Sequence, residues 1–115
     1  MLTFSPQAWT IEYFNERVRN QIFGLPEDML GDYLRLLELL EVHGADLRMP
    51  HSKALGDKLF ELRPSGEEGA GRVFYCALKG KKIVMLHSFV KKTQQTPRKE
   101  LCVARKRLRE VRKNG

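Results

Sequence analysis

The chain has no run of 18 or more apolar residues, so it carries no candidate transmembrane helix. Its opening, MLTFSPQAWT, lacks the basic-then-apolar layout of a secretory leader, and a cytoplasmic protein with no membrane partner is therefore expected. Cysteine is scarce: Cys76 and Cys102 lie far apart, form no Cys-x-x-Cys and have no histidine at ligand spacing. Both are read as ordinary reduced thiols, and no metal or cofactor is expected. Also absent are a P-loop, an HExxH, a Ser-His-Asp order and any paired-carboxylate spacing, which disfavours kinases, metallohydrolases and triad hydrolases. Repeats, low-complexity tracts and internal linkers are missing as well. Residues 1–115 therefore read as one domain, long enough for a single core.

What the chain does have is positive charge in one place. The formal net charge is +7, yet residues 91–115 alone hold ten Lys and Arg against Glu100 and Glu110, which leaves the first 90 residues at about −1. A cationic field confined to one end suits a polyanion such as RNA or DNA, or an acidic protein partner.

Periodicity places the elements. Trp9 to Phe14 alternates as a first strand. Asn15 is a helix cap for a short helix through Ile22, with Val18 and Ile22 on one face. Gly24 and Pro26 break the chain. A second helix then runs from Pro26 to about His43, with Leu30, Tyr33, Leu34, Leu37, Leu40 and Glu41 tracing one stripe, until Gly44 ends it. Met49 to Lys53 read as a loop. Leu59 to Arg63 is a strand with Leu59, Glu61 and Arg63 on one face and Phe60 and Leu62 on the other. After a Gly-rich hairpin loop, Arg72 to Leu78 returns with Arg72, Phe74 and Cys76 on one face and Val73, Tyr75 and Ala77 on the other. A tight KGKK turn leads into Ile83 to Val90, a buried strand that ends in Lys91 and Lys92. Thr96 as cap and Pro97 at the first helical position start a last helix, whose apolar stripe is Leu101, Ala104, Leu108 and Val111. An α+β domain follows, an antiparallel meander with the helices on one side and the cations of the last helix in water.

A core strand that ends in fixed cations can stabilise charge on a phosphate, because its buried face holds the end still. Arg63, Arg72, Lys91 and Lys92, with Glu61, His51, His87 and Tyr75 near them in the sheet, suit metal-free cleavage of RNA. A base would take the proton of a 2′-hydroxyl that attacks phosphorus, cations would hold the added negative charge, and an acid would protonate the leaving 5′-oxygen.

The runs K-x-L-x-D-x-L-F-E-L-R from Lys53, R-V-F-Y from Arg72, I-V-M-L-H-S-F-V-K-K-T-Q-Q-T-P from Ile83 and E-L-x-x-A from Glu100 closely resemble the phage-derived Gp49-like, HigB-type toxins of the RelE/ParE superfamily. The similarity reaches back over the leucine-rich helix. Lys58 departs from it, since the family usually has glycine there. The resemblance implies a RelE-like fold: an antiparallel sheet of about four strands flanked by two N-terminal helices and a basic C-terminal helix. It also implies an mRNA endoribonuclease that works at the ribosome without metal, neutralised by a cognate helix-turn-helix antitoxin. Arg72 falls where ribosome-dependent relatives keep a catalytic arginine, Lys92 at a second phosphate-stabilising cation with Lys91 beside it, and Arg63 at a basic position of the preceding strand. Those relatives place a lysine base near Glu61, which leaves Glu61, His51 and His87 as alternatives for the base. Lys53, Phe89, Arg98, Arg105 and Arg109 are expected to contact RNA. Three rivals remain: a ParE-like gyrase inhibitor of the same fold, a basic RNA-binding module without activity, and a degenerate toxin that retains only antitoxin binding.

Overall fold

The computed structural model describes residues 8–67, 69–91 and 97–114. Strand β1 (Thr10–Tyr13) leads into helices α1 (Glu16–Phe23) and α2 (Glu27–His43). Strands β2 (Ser52–Gly56), β3 (Leu59–Leu62), β4 (Ser65–Gly66), β5 (Gly69–Leu78) and β6 (Lys82–Lys91) follow, and helix α3 (Arg98–Asn114) closes the chain. The sheet order is β1-β6-β5-β3-β2, with the two-residue β4 pairing to β5. All pairings are antiparallel except β1 with β6, which is parallel.

Local chemistry sets the boundaries. The Asn15 side chain accepts the Val18 amide at 2.8 Å and caps α1. Gly44 ends α2 at φ +53, where a Cβ would lie 1.9 Å from the Trp9 indole, so only glycine fits. The long β5–β6 hairpin turns through Lys79, Gly80 and Lys81, of which Gly80 and Lys81 have positive φ. Asp57 and Lys58 turn the β2–β3 hairpin in the same way, at φ +59 and +62. Lys58 thus occupies the left-handed region where glycine carries no steric cost.

Two cores sandwich the sheet. On one face, Val73, Tyr75, Ala77, Ile83 and Met85 pack against Val18 and Ile22 of α1 and Met29, Tyr33, Leu36 and Leu40 of α2. On the other, Leu59, Phe74, Cys76, Val84 and Leu86 pack against Ala104 and Leu108 of α3, with Leu101 and Val111 alongside. The stripe of α3 is therefore the expected one.

Several expectations are corrected. The helices lie on both faces rather than one, because β5 and β6 are apolar on both sides and each side needs a cover. The sheet is mixed and has five strands in its main path, since β1 joins β6 in parallel and Ser52 to Gly56 pair with β3 instead of forming a loop. Low β-propensity at Lys53, Ala54 and Gly56 hid that edge strand. In α2 the buried residues are Met29, Tyr33, Leu36 and Leu40, while Leu34 is 44% exposed. Of the expected stripe, Tyr33 and Leu40 are buried and Leu30 and Leu37 pack against the core, but leucines at 34, 36, 37, 39 and 40 offer two overlapping stripes, and periodicity chose Leu34 where Leu36 is buried. Cap residue Thr96 lies outside the described residues.

Candidate active site

The α3 face of the sheet changes character along its length. Near Cys76 and Val84 it is apolar and covered by α3; toward the start of β5 and the end of β6 it becomes charged. Alternation in β3 puts Glu61 on the same face as Leu59, and the register sets it between Lys53 of β2 and Phe74 of β5. Arg72 stands opposite Phe89, and Lys91 opposite Ala70. Arg63 follows β3 directly, its amide donating to the His51 carbonyl at 3.0 Å.

Glu61 anchors this group. Its Oε1 lies 3.4 Å from Arg63 Nη1 and 3.6 Å from Arg72 Nε. Only 2% of Glu61 and 7% of Arg72 are exposed. Burying a guanidinium costs several kcal/mol unless an anion accompanies it, and Glu61 is that anion. Arg72 Nη1 also donates to the Gly71 carbonyl at 2.7 Å, which fixes the guanidinium plane. Burial, and then the neighbouring Arg63, lower the Arg72 pKa from its ordinary value, with Glu61 acting in the opposite sense. The Lys91 pKa is lowered too, first by loss of hydration and then by Arg72, with Arg63 and Lys53 adding to it and Glu61 opposing. Arg72 therefore feels Arg63, and Lys91 feels Arg72, Arg63 and Lys53, so the four cations lie in one electrostatic neighbourhood. Such a cluster is short of negative charge and offers directed donors to a phosphate.

A bulge brings His87 to the same face. Phe74 pairs with His87 but Tyr75 with Met85, so Leu86 is an extra residue in β6. Strict alternation would send His87 with Ile83 and Met85 into the α1/α2 core. Instead its ring stacks on Phe74 at 6.3 Å, near Phe89 at 6.2 Å, and its Nε2 meets Glu100 Oε1 of α3 at 2.7 Å. Among the described residues, two buried side-chain atoms have no hydrogen-bond partner: Arg72 Nε and His87 Nδ1. Both belong to this face.

The structure thus brings together Arg63, Arg72, Lys91, Glu61, Lys53, His87 and Phe89. Lys92 lies outside the described residues. Tyr75 is on the other face, buried and bonded to the Ser52 hydroxyl, as alternation indicated. On α3, Arg98 and Arg109 are exposed. Arg105 reaches the Leu55 carbonyl at 3.4 Å, Arg107 the Leu86 carbonyl at 2.8 Å, and Arg112 forms an ion pair with Asp57 at 2.9 Å. The expectation that all cations of this helix stay in water is corrected: these guanidiniums are long enough to reach the carbonyls and carboxylate at the sheet rim. Glu100 escaped sequence reading, because no local pattern ties a residue of the last helix to His87. Cys76 is buried, which pushes its thiol up to about 11, and Cys102 is exposed; neither is paired. Among the described residues no group of three or more His, Cys, Asp or Glu side chains comes together, and no helix is long and apolar enough to cross a membrane.

Comparison with known proteins agrees with this architecture. A solved structure titled "Crystal structure of archaeal RelE-RelB complex from Pyrococcus horikoshii OT3" contains a similar chain, with a TM-score of 0.53 and 20% identity, covering 72% of this chain and 94% of that one. At that identity the likeness concerns the fold, which is RelE-like. No curated protein matches the chain. The family model "Phage derived protein Gp49-like (DUF891)" matches residues 20–109, which include most of both cores and every described member of the charged face. The chain therefore belongs to the phage-derived Gp49-like family, a family of the RelE/HigB type.

Proposed function

We propose that the chain is the toxin of a toxin–antitoxin pair and that it cleaves mRNA on the ribosome. The observation that carries this reading is the convergence of Arg63, Arg72, Lys91 and Lys53 on one partly buried patch around the carboxylate of Glu61, which pairs with both arginines. Attack of a 2′-hydroxyl on the adjacent phosphorus gathers negative charge on the phosphoryl oxygens. Guanidinium and ammonium donors already fixed in place stabilise that charge without reorganising, and they need no metal to do so. Arg72, held by Gly71 and Glu61, is assigned the phosphate; Arg63 and Lys91 flank it. Glu61, buried beneath the two arginines, orients them. Lys92 is proposed beside Lys91 from the resemblance alone. Phe89 is proposed to stack a base, and exposed Arg98 and Arg109 to contact ribosomal RNA.

The family and the likeness to the RelE chain of a RelE–RelB complex support an antitoxin as the protein partner, and a helix-turn-helix protein is proposed for it. The decisive experiment is induction of wild type and Arg72→Ala in cells, with new mRNA 5′ ends mapped by primer extension while growth is followed. Growth arrest with cuts confined to translated message, both lost in the variant, supports the reading. Loss of one such donor should slow cleavage about 10²–10³-fold. Arrest without cuts overturns the nuclease and favours a gyrase poison of the same fold; no arrest and no cuts leave a binding module.

A further inference from the structure

The hairpin that leads into Arg72 has little of its own to hold it. β4 is two residues long, and Ser65, Gly66, Gly69, Ala70 and Gly71 include no side chain large enough to dock in either core. Yet its return strand is the base of the charged face: Ala70 pairs with Lys91, and the Gly71 carbonyl receives Arg72 Nη1 at 2.7 Å. The anchor comes from α2. Asp28 and Asp32, four residues apart and so on one side of the helix, each bridge helix and hairpin with separate oxygens. Asp28 Oδ1 accepts the Met29 amide at 2.8 Å and its Oδ2 the Glu67 amide at 2.6 Å. Asp32 Oδ1 accepts from Arg35 Nε at 2.9 Å and its Oδ2 from the Ser65 amide at 2.9 Å. The approach is also close: a Cβ on Gly66 would lie 2.6 Å from Asp28 Oδ1, and one on Gly71 2.8 Å from the Met29 sulfur. These two glycines therefore let helix and hairpin meet.

We propose that Asp28 and Asp32 are positioning residues for Arg72: by holding the β4–β5 hairpin they set where its guanidinium meets the scissile phosphate. This rests on the nuclease reading above. Both aspartates stand on α2, which covers the opposite side of the sheet, so they reach Arg72 through the backbone of the hairpin. The amides they hold are exposed to water, and water can replace a carboxylate as acceptor. Their net contribution to stability is accordingly small. Their contribution to direction is not, because a misplacement of about 1 Å that starts far from the chemistry can slow a reaction about 10²-fold.

Single-turnover cleavage on purified ribosomes programmed with a message tests the assignment. The double variant Asp28→Ala, Asp32→Ala keeps a good helix former at both positions, and thermal unfolding confirms that it folds. At saturating toxin it should cleave about 10²-fold more slowly than wild type, with half-saturation at the wild-type concentration. Asp28→Asn, with one acceptor oxygen for two amides, should fall between. In an Arg72→Ala background the double substitution should add almost nothing, because residues that act through one another are not additive. A merely structural role would lower the rate equally in both backgrounds; that result, or a wild-type rate for the double variant, overturns the assignment. Failure of wild type to cut overturns the nuclease reading instead. The Nε–H signal of Arg72 in NMR then decides the tether by itself. It should broaden or shift in the double variant, and an unchanged signal overturns the tether.

Discussion

Toward α1 and α2 the sheet presents Val73, Tyr75, Ala77, Ile83 and Met85, and the buried polar groups there are neutral hydroxyls bonded to each other, Ser52 to Tyr75 and Tyr13 to Tyr33. Toward α3 the same strands begin with Cys76 and Val84 and end with Arg72, Phe89 and Lys91 around Glu61. One face is uniform; the other divides into a packed half and a charged half. Burial alone therefore does not mean the same thing on both sides. Met85 and Arg72 are both nearly inaccessible, yet one excludes water from a core and the other is a guanidinium kept beside the Glu61 carboxylate.

Substitutions can break that contrast. The largest effect on folding is expected on the uniform face: Met85→Ala should lower stability by about 2–5 kcal/mol in urea unfolding, while cleavage per folded molecule stays at the wild-type rate. A parallel loss of cleavage would mean that the two faces are not separable. A smaller effect is expected at the far end of the β2–β3 hairpin, where Lys58 sits at φ +62. Lys58→Gly should raise stability by up to about 1 kcal/mol by relieving a left-handed residue, read as a higher Tm, with cleavage unchanged. The smallest and most local test concerns Lys91. Its pKa is lowered in the folded chain, so the unfolded chain holds that proton more tightly; the resulting penalty is present at neutral pH and lifts as pH rises through the folded value. Side-chain NMR should find Lys91 titrating below an ordinary lysine. Adding a non-cleavable oligonucleotide should move it up, because an anion favours the charged form. No movement would remove Lys91 from the charged half.

Much of this arrangement is legible in the chain itself. Two-residue alternation places Arg72 with Phe74 and Cys76, and Glu61 with Arg63, and it correctly turns Tyr75 away. The family motif adds which of those cations to favour. The Leu86 bulge is not legible, since no glycine or proline marks it and the run from Ile83 to Leu86 looks like any core strand. Without the bulge, His87 is misassigned by one face. The second cover of the sheet is equally hidden: an apolar stripe on α3 tells that the helix docks, but not on which side. The parallel pairing of β1 links residues too far apart for any local pattern to report.

That pairing also has a meaning in time. Thr10 to Tyr13 bond to Lys82 to Met85, so β1 has no partner in that register until β6 emerges. At about 5–20 residues per second, the gap is on the order of ten seconds. During that interval the edge of the future sheet is open, and β6, the strand that carries His87, Phe89 and Lys91, does not yet exist. The pairs β2–β3 and β3–β5 need no β6, but the charged face is complete only once β6 has been made.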